Sequence, residues 1–431
     1  MAGTASALAA SRAGARVVLV DGGTGASTLS TGAIDALPWH AAPNELVSEE
    51  GAFATRTGPV SSEPPADGRP GFVAPVAAPA RSVLGALGAY LLPDAGARVI
   101  TTAGVVRPAR GHDAAVLDVA PLGGRGVGVV GCERPGWDAV GLARALGPGF
   151  VAVDATTLRH VDERRIPAAD YAARHDDEQR LGWLADRLRD ALARAGDGLA
   201  ALLLPPSLGL ERPRAQALSE RVGLPCGEAI GLPGGPSGLR FERARDRALA
   251  AAGIEVVQAR VRRVEAVEAG AAGWLVVLDA GAAPLEAGAV VLAAGGLVGG
   301  GLEYSPAEAA VATVFPPATR PPFQLGLDAP VALGAYGRPL AVPGSLFGVA
   351  PESIAWPFTS DALMDRVGVV AGDGGRAGDA LYAAGEIVAD APRTWLHALD
   401  SGARAGSAAA LAVVTAPQAR PSPAAAPASR P

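Results

Sequence analysis

The 431-residue chain contains no lysine at all; its basic charge is carried by arginine. That absence removes two chemistries. A Walker A phosphate loop needs its lysine, and a pyridoxal phosphate enzyme needs a lysine Schiff base. Cysteine is almost as scarce, with only Cys132 and Cys226, far apart in sequence. Two isolated thiols hold neither an iron–sulfur cluster nor a four-thiolate zinc, and they point to a reducing compartment rather than a disulfide scaffold. No apolar run approaches the ~20 residues of a membrane span, and no basic region leading into an apolar core opens the chain as a signal peptide would. The net charge of −6 and pI near 5.5 leave no basic footprint for nucleic acid.

What is present is a hydrophobic fraction of 49%, in a chain long enough for two or three domains of ~100–200 residues. The opening stretch sets the organisation. Small residues from Gly3 and Thr4 begin a helix that Ala13–Ala15 end, and the strand Arg16–Val20 stops at Asp21. This is the second half of a Rossmann-like βαβ dinucleotide-binding unit. Met1–Gly3 reads as the tail of G-x-G-x-x-G, whose helix faces a pyrophosphate. Asp21 falls about 20 residues past the glycines, where an acid binds a ribose. The first strand and first two glycines of the unit are missing from this chain. Gly22 and Gly23 then open a glycine- and hydroxyl-rich run through Ser30, Thr31 and Gly32, whose backbone N–H groups are free to meet an anion or a planar heterocycle.

Further along, Arg56–Ala80 reads as a long Pro/Gly loop and Arg81–Leu92 as a short helix. Strands at Val127–Val130 and Phe150–Asp154 flank a helix over Trp137–Leu146. A long amphipathic helix follows from Glu178 to Arg194, with Leu181, Leu184, Leu188 and Leu192 at helical spacing, and Leu199–Leu204 is a buried strand. A helix over Phe241–Ala252 precedes strands at 253–257, 259–264, 273–279 and 284–286, which lead into Ala289–Gly296. Ala380–Glu386 is a strand meeting a turn, Ser401–Val414 a final helix, and 416–431 a low-complexity disordered tail.

An αβ start ending in Asp21, a helix–Gly–strand after Phe241, a strand into Gly295 and Gly296, and a strand into Gly385 and Glu386 occur in that order. Together they resemble two-dinucleotide-fold flavoproteins of the fumarate reductase and succinate dehydrogenase type. The stretches Ser30–Asp35, Ala173–Glu178, Leu204–Leu210, Leu224–Cys226, Pro236–Arg240 and Gly299–Leu302 are similar to those of the family of B-type subunits of anaerobic glycerol-3-phosphate dehydrogenase.

The resemblance implies an α/β fold with a Rossmann-like flavin domain built from residues 1–120, 241–310 and 371–415. An αβ region would be inserted at 121–240 and a cap at 311–370. Val17–Val20 and Val290–Ala293 are then expected in one sheet. The dinucleotide-type framework suggests FAD, whereas the B-type subunit family implies FMN as the alternative, and the flavin is expected to be held by Gly3, Thr4, Asp21, Gly22, Gly23, Ser30, Thr31, Gly32, Val261, Gly295, Gly385, Glu386, Ser401 and Gly402. The resemblance also implies oxidation of glycerol 3-phosphate to dihydroxyacetone phosphate beside a catalytic flavoprotein subunit and an iron–sulfur, membrane-anchoring subunit; the alternatives are a stand-alone FAD-dependent dehydrogenase or reductase of the fumarate reductase type and a non-catalytic flavin-binding or assembly subunit. The complex would be cytoplasmic and peripheral at the inner face of the membrane. No metal site is expected. The run Leu399–Gly406 is expected as a flavin-facing loop, in which Asp400 and Arg404 replace glycines. His397 and Arg404 are the catalytic candidates, and Arg240, Arg393 and Arg404 are candidates for binding a phosphate or carboxylate.

Overall fold

The computed structural model describes residues 1–35, 76–196, 198–267, 273–279, 281–304, 323–335, 337–339 and 366–415. The tail 416–431, most of the expected cap and much of the Pro/Gly loop lie outside the described residues. The protein is a mixed α/β molecule with several sheets. Among the described residues, no helix is long and apolar enough to cross a membrane.

The chain opens with α1 (Ala2–Arg12) and β1 (Val18–Asp21). Alanine and small hydroxyl residues bury nearly the whole length of α1, from Ala2 to Ala10. The next helix, α2 (Ala78–Leu87), ends at Gly88 in the left-handed conformation (φ 62°), which glycine adopts without strain. The expected helix over Arg81–Leu92 is therefore shifted. Gly88 stops it, and Tyr90–Leu91 becomes a short strand.

The middle of the chain forms a parallel four-stranded sheet. Its elements are β2 (Gly126–Val130), α3 (Ala139–Leu146), β3 (Phe150–Val153), α4 (Ala168–Arg174), α5 (Glu178–Ala195), β4 (Leu199–Leu204), α6 (Ala215–Val222) and β5 (Cys226–Glu228), with strand order β5-β4-β2-β3. Both faces are covered, as a parallel sheet requires. Leu181, Leu184 and Leu188 of α5 pack with Leu218 of α6 on one side. Leu142 and Leu146 of α3 pack on the other, with Ile100 and Leu117. The helical leucine spacing anticipated this arrangement, and the side chains of Asp138 and Asp177 cap α3 and α5 by accepting the Gly141 and Arg180 N–H groups.

The last third begins with α7 (Pro236–Ala251) and β6 (Glu255–Gln258), which pairs in parallel with β1. An antiparallel meander follows: β7 (Val261–Ala266), β8 (Trp274–Leu278) and β9 (Leu285–Ala287). Then β10 (Val290–Leu292) pairs in parallel with β11 (Leu381–Ala383), and α8 (Trp395–Val414) closes the described chain.

Two expectations need correction. First, β1 and β10 lie in different sheets, β1 with β6 and β10 with β11. Among the described residues no strand stands between them and a cavity separates them, so these residues do not form the single flavin-domain sheet that the resemblance implies. Second, Leu399–Gly406 is not a loop. Thr394 caps α8 by accepting the His397 N–H at 3.1 Å, so the helix starts six residues before Ser401 and runs through the whole stretch.

Gly402 and Gly406 are there for a different reason. A Cβ on Gly402 would run into the Ala2 carbonyl, and one on Gly406 into that of Ser6. The two glycines let α8 lie directly against α1, and the Ser6 hydroxyl donates to the Gly402 carbonyl at 2.9 Å. Because Gly402 meets Ala2 and Gly406 meets Ser6, the helices run in the same direction.

Candidate cofactor-binding site

A cavity of about 910 Å³ lies between β1 and β10, at the upper end of the range for small-molecule sites. Its apolar walls include Ala7 and Ala10 of α1 on one side and Val261, Val264, Val276 and Leu285 of the meander on the other. Its polar end is formed by Met1–Thr4, Asp21–Thr28, Arg245, Gly295, Gly299–Gly301 and Glu386.

The chain's directions put this polar end where β1 and β10 finish. The start of α1 stands over Ala293, just past β10, and α8 ends with Val413 over Gly288, just before it. The N-termini of both parallel helices therefore point toward the C-terminal ends of β1, β10 and β11. The first-turn N–H groups of a helix have no partner within it. On α1 no side chain caps them, and no acidic residue stands in the first turn. Two helix dipoles thus direct partial positive charge to the same end.

Asp21 ends β1 at that position. Its carboxylate accepts the Gly23 N–H at 3.1 Å and the Gln258 amide at 3.4 Å, and Arg245 stands 3.7 Å away. Beyond it, a Cβ on Gly23 (φ 129°) or Gly25 would meet nothing within 4 Å, so the loop leaves open space beside its backbone. The Met1 α-amine donates to the Ser27 hydroxyl at 2.8 Å. Burial, with Arg245 adding to it, pushes the amine down to about 5, against the opposing pull of Glu386 and Asp21.

Of the residues nominated from the sequence, Gly3, Thr4, Asp21, Gly22, Gly23, Val261, Gly295 and Glu386 all line this cavity. Gly385, Ser401 and Gly402 do not line it; they fasten α8 to the start of α1. The Gly385 N–H donates to Ser401 Oγ at 2.9 Å, and a Cβ on Gly385 would stand 2.6 Å from that of Ala2. Ser30, Thr31 and Gly32 also lie elsewhere. The Thr31 carbonyl accepts the Gly231 N–H and the Gly32 carbonyl accepts that of Asp113, so this turn stitches the first segment to the middle region.

None of the four nominated catalytic or anion-binding side chains faces the cavity. His397 is half-buried, its Nε2 makes no hydrogen bond, and burial, then Arg404, pushes its imidazole down to about 4. Arg404 pairs with Asp400 at 2.8 Å along the outer face of α8. Arg393 donates to the Glu386 and Val367 carbonyls at 2.5 and 2.6 Å and fixes the loop after β11.

Arg240 is fully buried. It donates to Asp113 at 2.8 Å, to the two oxygens of Glu228 at 2.5 and 3.4 Å, to the Gly209 carbonyl and to Ser237, which leaves no donor for a ligand. Burial works against its charge, but the two carboxylates outweigh it and hold the guanidinium above its ordinary pKa. The structure adds one residue that the sequence does not single out, Arg245. It sits among Arg240, Arg243 and Arg247 on one helix, and nothing in that run distinguishes it.

No protein-family model matches this chain, and neither a curated protein nor a solved structure does.

Proposed function

We propose that the chain is a flavin-binding oxidoreductase component whose framework is a two-dinucleotide fold. The observation that carries this reading is the convergence at one cavity end of an uncapped helix start, an acid closing a parallel strand, the glycine loop after β10 and Glu386 after β11. In open α/β arrangements ligands bind at the carboxyl ends of strands.

FAD fits the residues present. Asp21 would hold the adenosine ribose, the first-turn N–H groups of α1 the pyrophosphate, and the open backbone at Gly23 and Gly25 admits a bulky group. Gly295 and Glu386, before the start of α8, stand on the side suited to the isoalloxazine. The flavin would supply hydride and electron transfer. The chain's own residues bind and orient it.

Within this reading the chain is the B-type subunit of an anaerobic glycerol-3-phosphate dehydrogenase, as its sequence resemblance suggests. It would work beside a catalytic flavoprotein subunit and an iron–sulfur subunit at the membrane. The placement of His397, Arg404, Arg240 and Arg393 away from the cavity favours a partner as the site of substrate oxidation.

Purified protein reconstituted with FAD should be yellow, with an absorbance band near that of free flavin. A charge-assisted hydrogen bond contributes ~1.5–3 kcal/mol, so Asp21→Ala should weaken FAD binding roughly ten- to a hundredfold. Affinity unchanged by that substitution would favour FMN, which lacks the adenosine ribose. Robust turnover of glycerol 3-phosphate or fumarate by this chain alone would overturn the subunit assignment.

A further inference from the structure

The polar end of the cavity holds one side chain that the flavin reading leaves without a role, Arg245. It lies on α7, one turn after Phe241, and residues four apart share a helix face. That face meets the cavity: Phe241 is buried at its wall, and Arg245 is half-buried at its polar end. The other arginines of α7 are engaged elsewhere. Arg240 is enclosed in its triad, while Arg243 and Arg247 are exposed and stand 3.4 and 3.7 Å from the two oxygens of Glu211.

The guanidinium of Arg245 is only partly used. Its Nε and Nη2 share one carboxylate oxygen of Asp246, at 2.9 Å. Asp246 is 58% exposed, and a pair so open to solvent contributes little. Nη1 stands 3.7 Å from Asp21 Oδ2, beyond hydrogen-bond reach, and has no hydrogen-bond partner among the described residues. After burial, Arg245 is also the group that acts most strongly on the Met1 nitrogen, at the start of α1. The guanidinium is therefore near both the acid that ends β1 and the first turn of α1, whose N–H groups no side chain caps.

These neighbours define what the arginine can hold. Asp21 and Glu386 put negative charge at this end, which repels a phosphate unless a cation offsets it. Arg260 also borders the cavity but is exposed, and an exposed charge is screened by salt. Arg245, with only 21% of its side chain exposed, is screened less. A guanidinium offers a phosphate two parallel N–H bonds, and such charge-assisted pairs are stronger than an open surface pair.

We propose that Arg245 is a binding residue of this site, whose two-pronged guanidinium exchanges Asp246 for the 5′-diphosphate of the nucleotide whose ribose Asp21 holds. The first turn of α1 takes the other side of the same diphosphate. The nucleoside diphosphate half is then the anchor of the ligand, and it binds without the remainder. The inference rests on the dinucleotide reading of the cavity and not on the flavin ring.

The test is isothermal titration of the flavin-free full chain with ADP, adenosine and adenosine 2′,5′-bisphosphate. ADP should bind more tightly than adenosine. Arg245→Gln should weaken ADP roughly ten- to a hundredfold, as expected for one charge-assisted bond, and leave adenosine unaffected. Arg243→Gln makes the same charge change on the outer face of the same helix and should leave ADP affinity unaltered. Equal losses in the two variants would overturn the proposal, because the overall charge of the helix would then draw the nucleotide. ADP affinity untouched by Arg245→Gln would also overturn it, and the flavin reading would survive that result if Asp21→Ala still weakened FAD. Tighter, Arg245-dependent binding of the 2′,5′-bisphosphate would overturn it in favour of a phosphate on the ribose itself. Binding of neither ADP nor FAD would overturn both readings. If Arg245→Gln does not fold, Arg245→Lys takes its place. Lysine keeps the charge and loses the fork, so weaker ADP binding supports the proposal and parental affinity overturns it.

Discussion

A guanidinium closed off from solvent at Arg240 holds two equally enclosed carboxylates, Asp113 and Glu228. Removing one partner of a buried ionic group costs about 3–5 kcal/mol, because the others remain desolvated and unpaired. Arg240→Met should therefore lower stability by about that amount in urea unfolding. His175 shows the same physics for a single group. Its ring is fully buried, and Nδ1 lies 2.8 Å from the Ser207 carbonyl, to which it donates. Burial, then Arg180, pushes it down to about 4. In the unfolded chain it titrates near 6.5. Between those values the unfolded state takes up a proton that the folded state refuses, so stability is lost as pH falls from about 6.5 toward 4. At pH 5 that loss is about 2 kcal/mol for this residue. His175→Asn, which retains a donor near Nδ1, should shrink the difference in urea midpoint between pH 7 and pH 5. The remainder includes the share of His397, which is depressed in the same direction.

Among the elements, the contact between α1 and α8 depends on glycines that the sequence alone presents as a loop. Adding a methyl group at a site with no room costs about 1–3 kcal/mol. Gly406→Ala should therefore lower the thermal midpoint. Gly85→Ala is the counterpart, since Gly85 lies in α2 with nothing within 4 Å of its added Cβ. There the gain in helix propensity should raise stability by about 1 kcal/mol. This pair shows what is legible in the sequence. Leucine spacing reveals α5, the short apolar runs at 259–264, 273–279 and 284–286 reveal the meander, and Asp21 falls as expected at the end of β1. Composition does not distinguish a glycine that frees a loop from one that admits a neighbouring helix, so the expected start of α8 falls six residues late. Strand edges are equally silent in sequence: Val17–Val20 announces a strand but not whether both of its sides are paired. Arg245 is invisible there because its role comes from which face of α7 meets Asp21.

On the scale of the whole molecule, the middle sheet has its own cores on both faces. The Arg240 triad ties β5, through Glu228, to α7 and to Asp113. Arg240→Met should therefore loosen that tie as well as lower stability. Hydrogen exchange in β4 should separate from exchange in α1 and α8 in the variant, whereas the two should move together in the parent protein.

The contact between α1 and α8 also sets a schedule. Ser6 and Gly402 are separated by 396 residues, and a chain grows at about 5–20 residues per second. The first helix thus waits roughly 20 to 80 s after synthesis before its neighbour exists. The middle sheet, closed by contacts nearer in sequence, can fold during that interval. Newborn chains should accordingly acquire protease resistance in the middle region first. Meanwhile, the small-residue face of α1 stays open to chaperones until α8 leaves the ribosome.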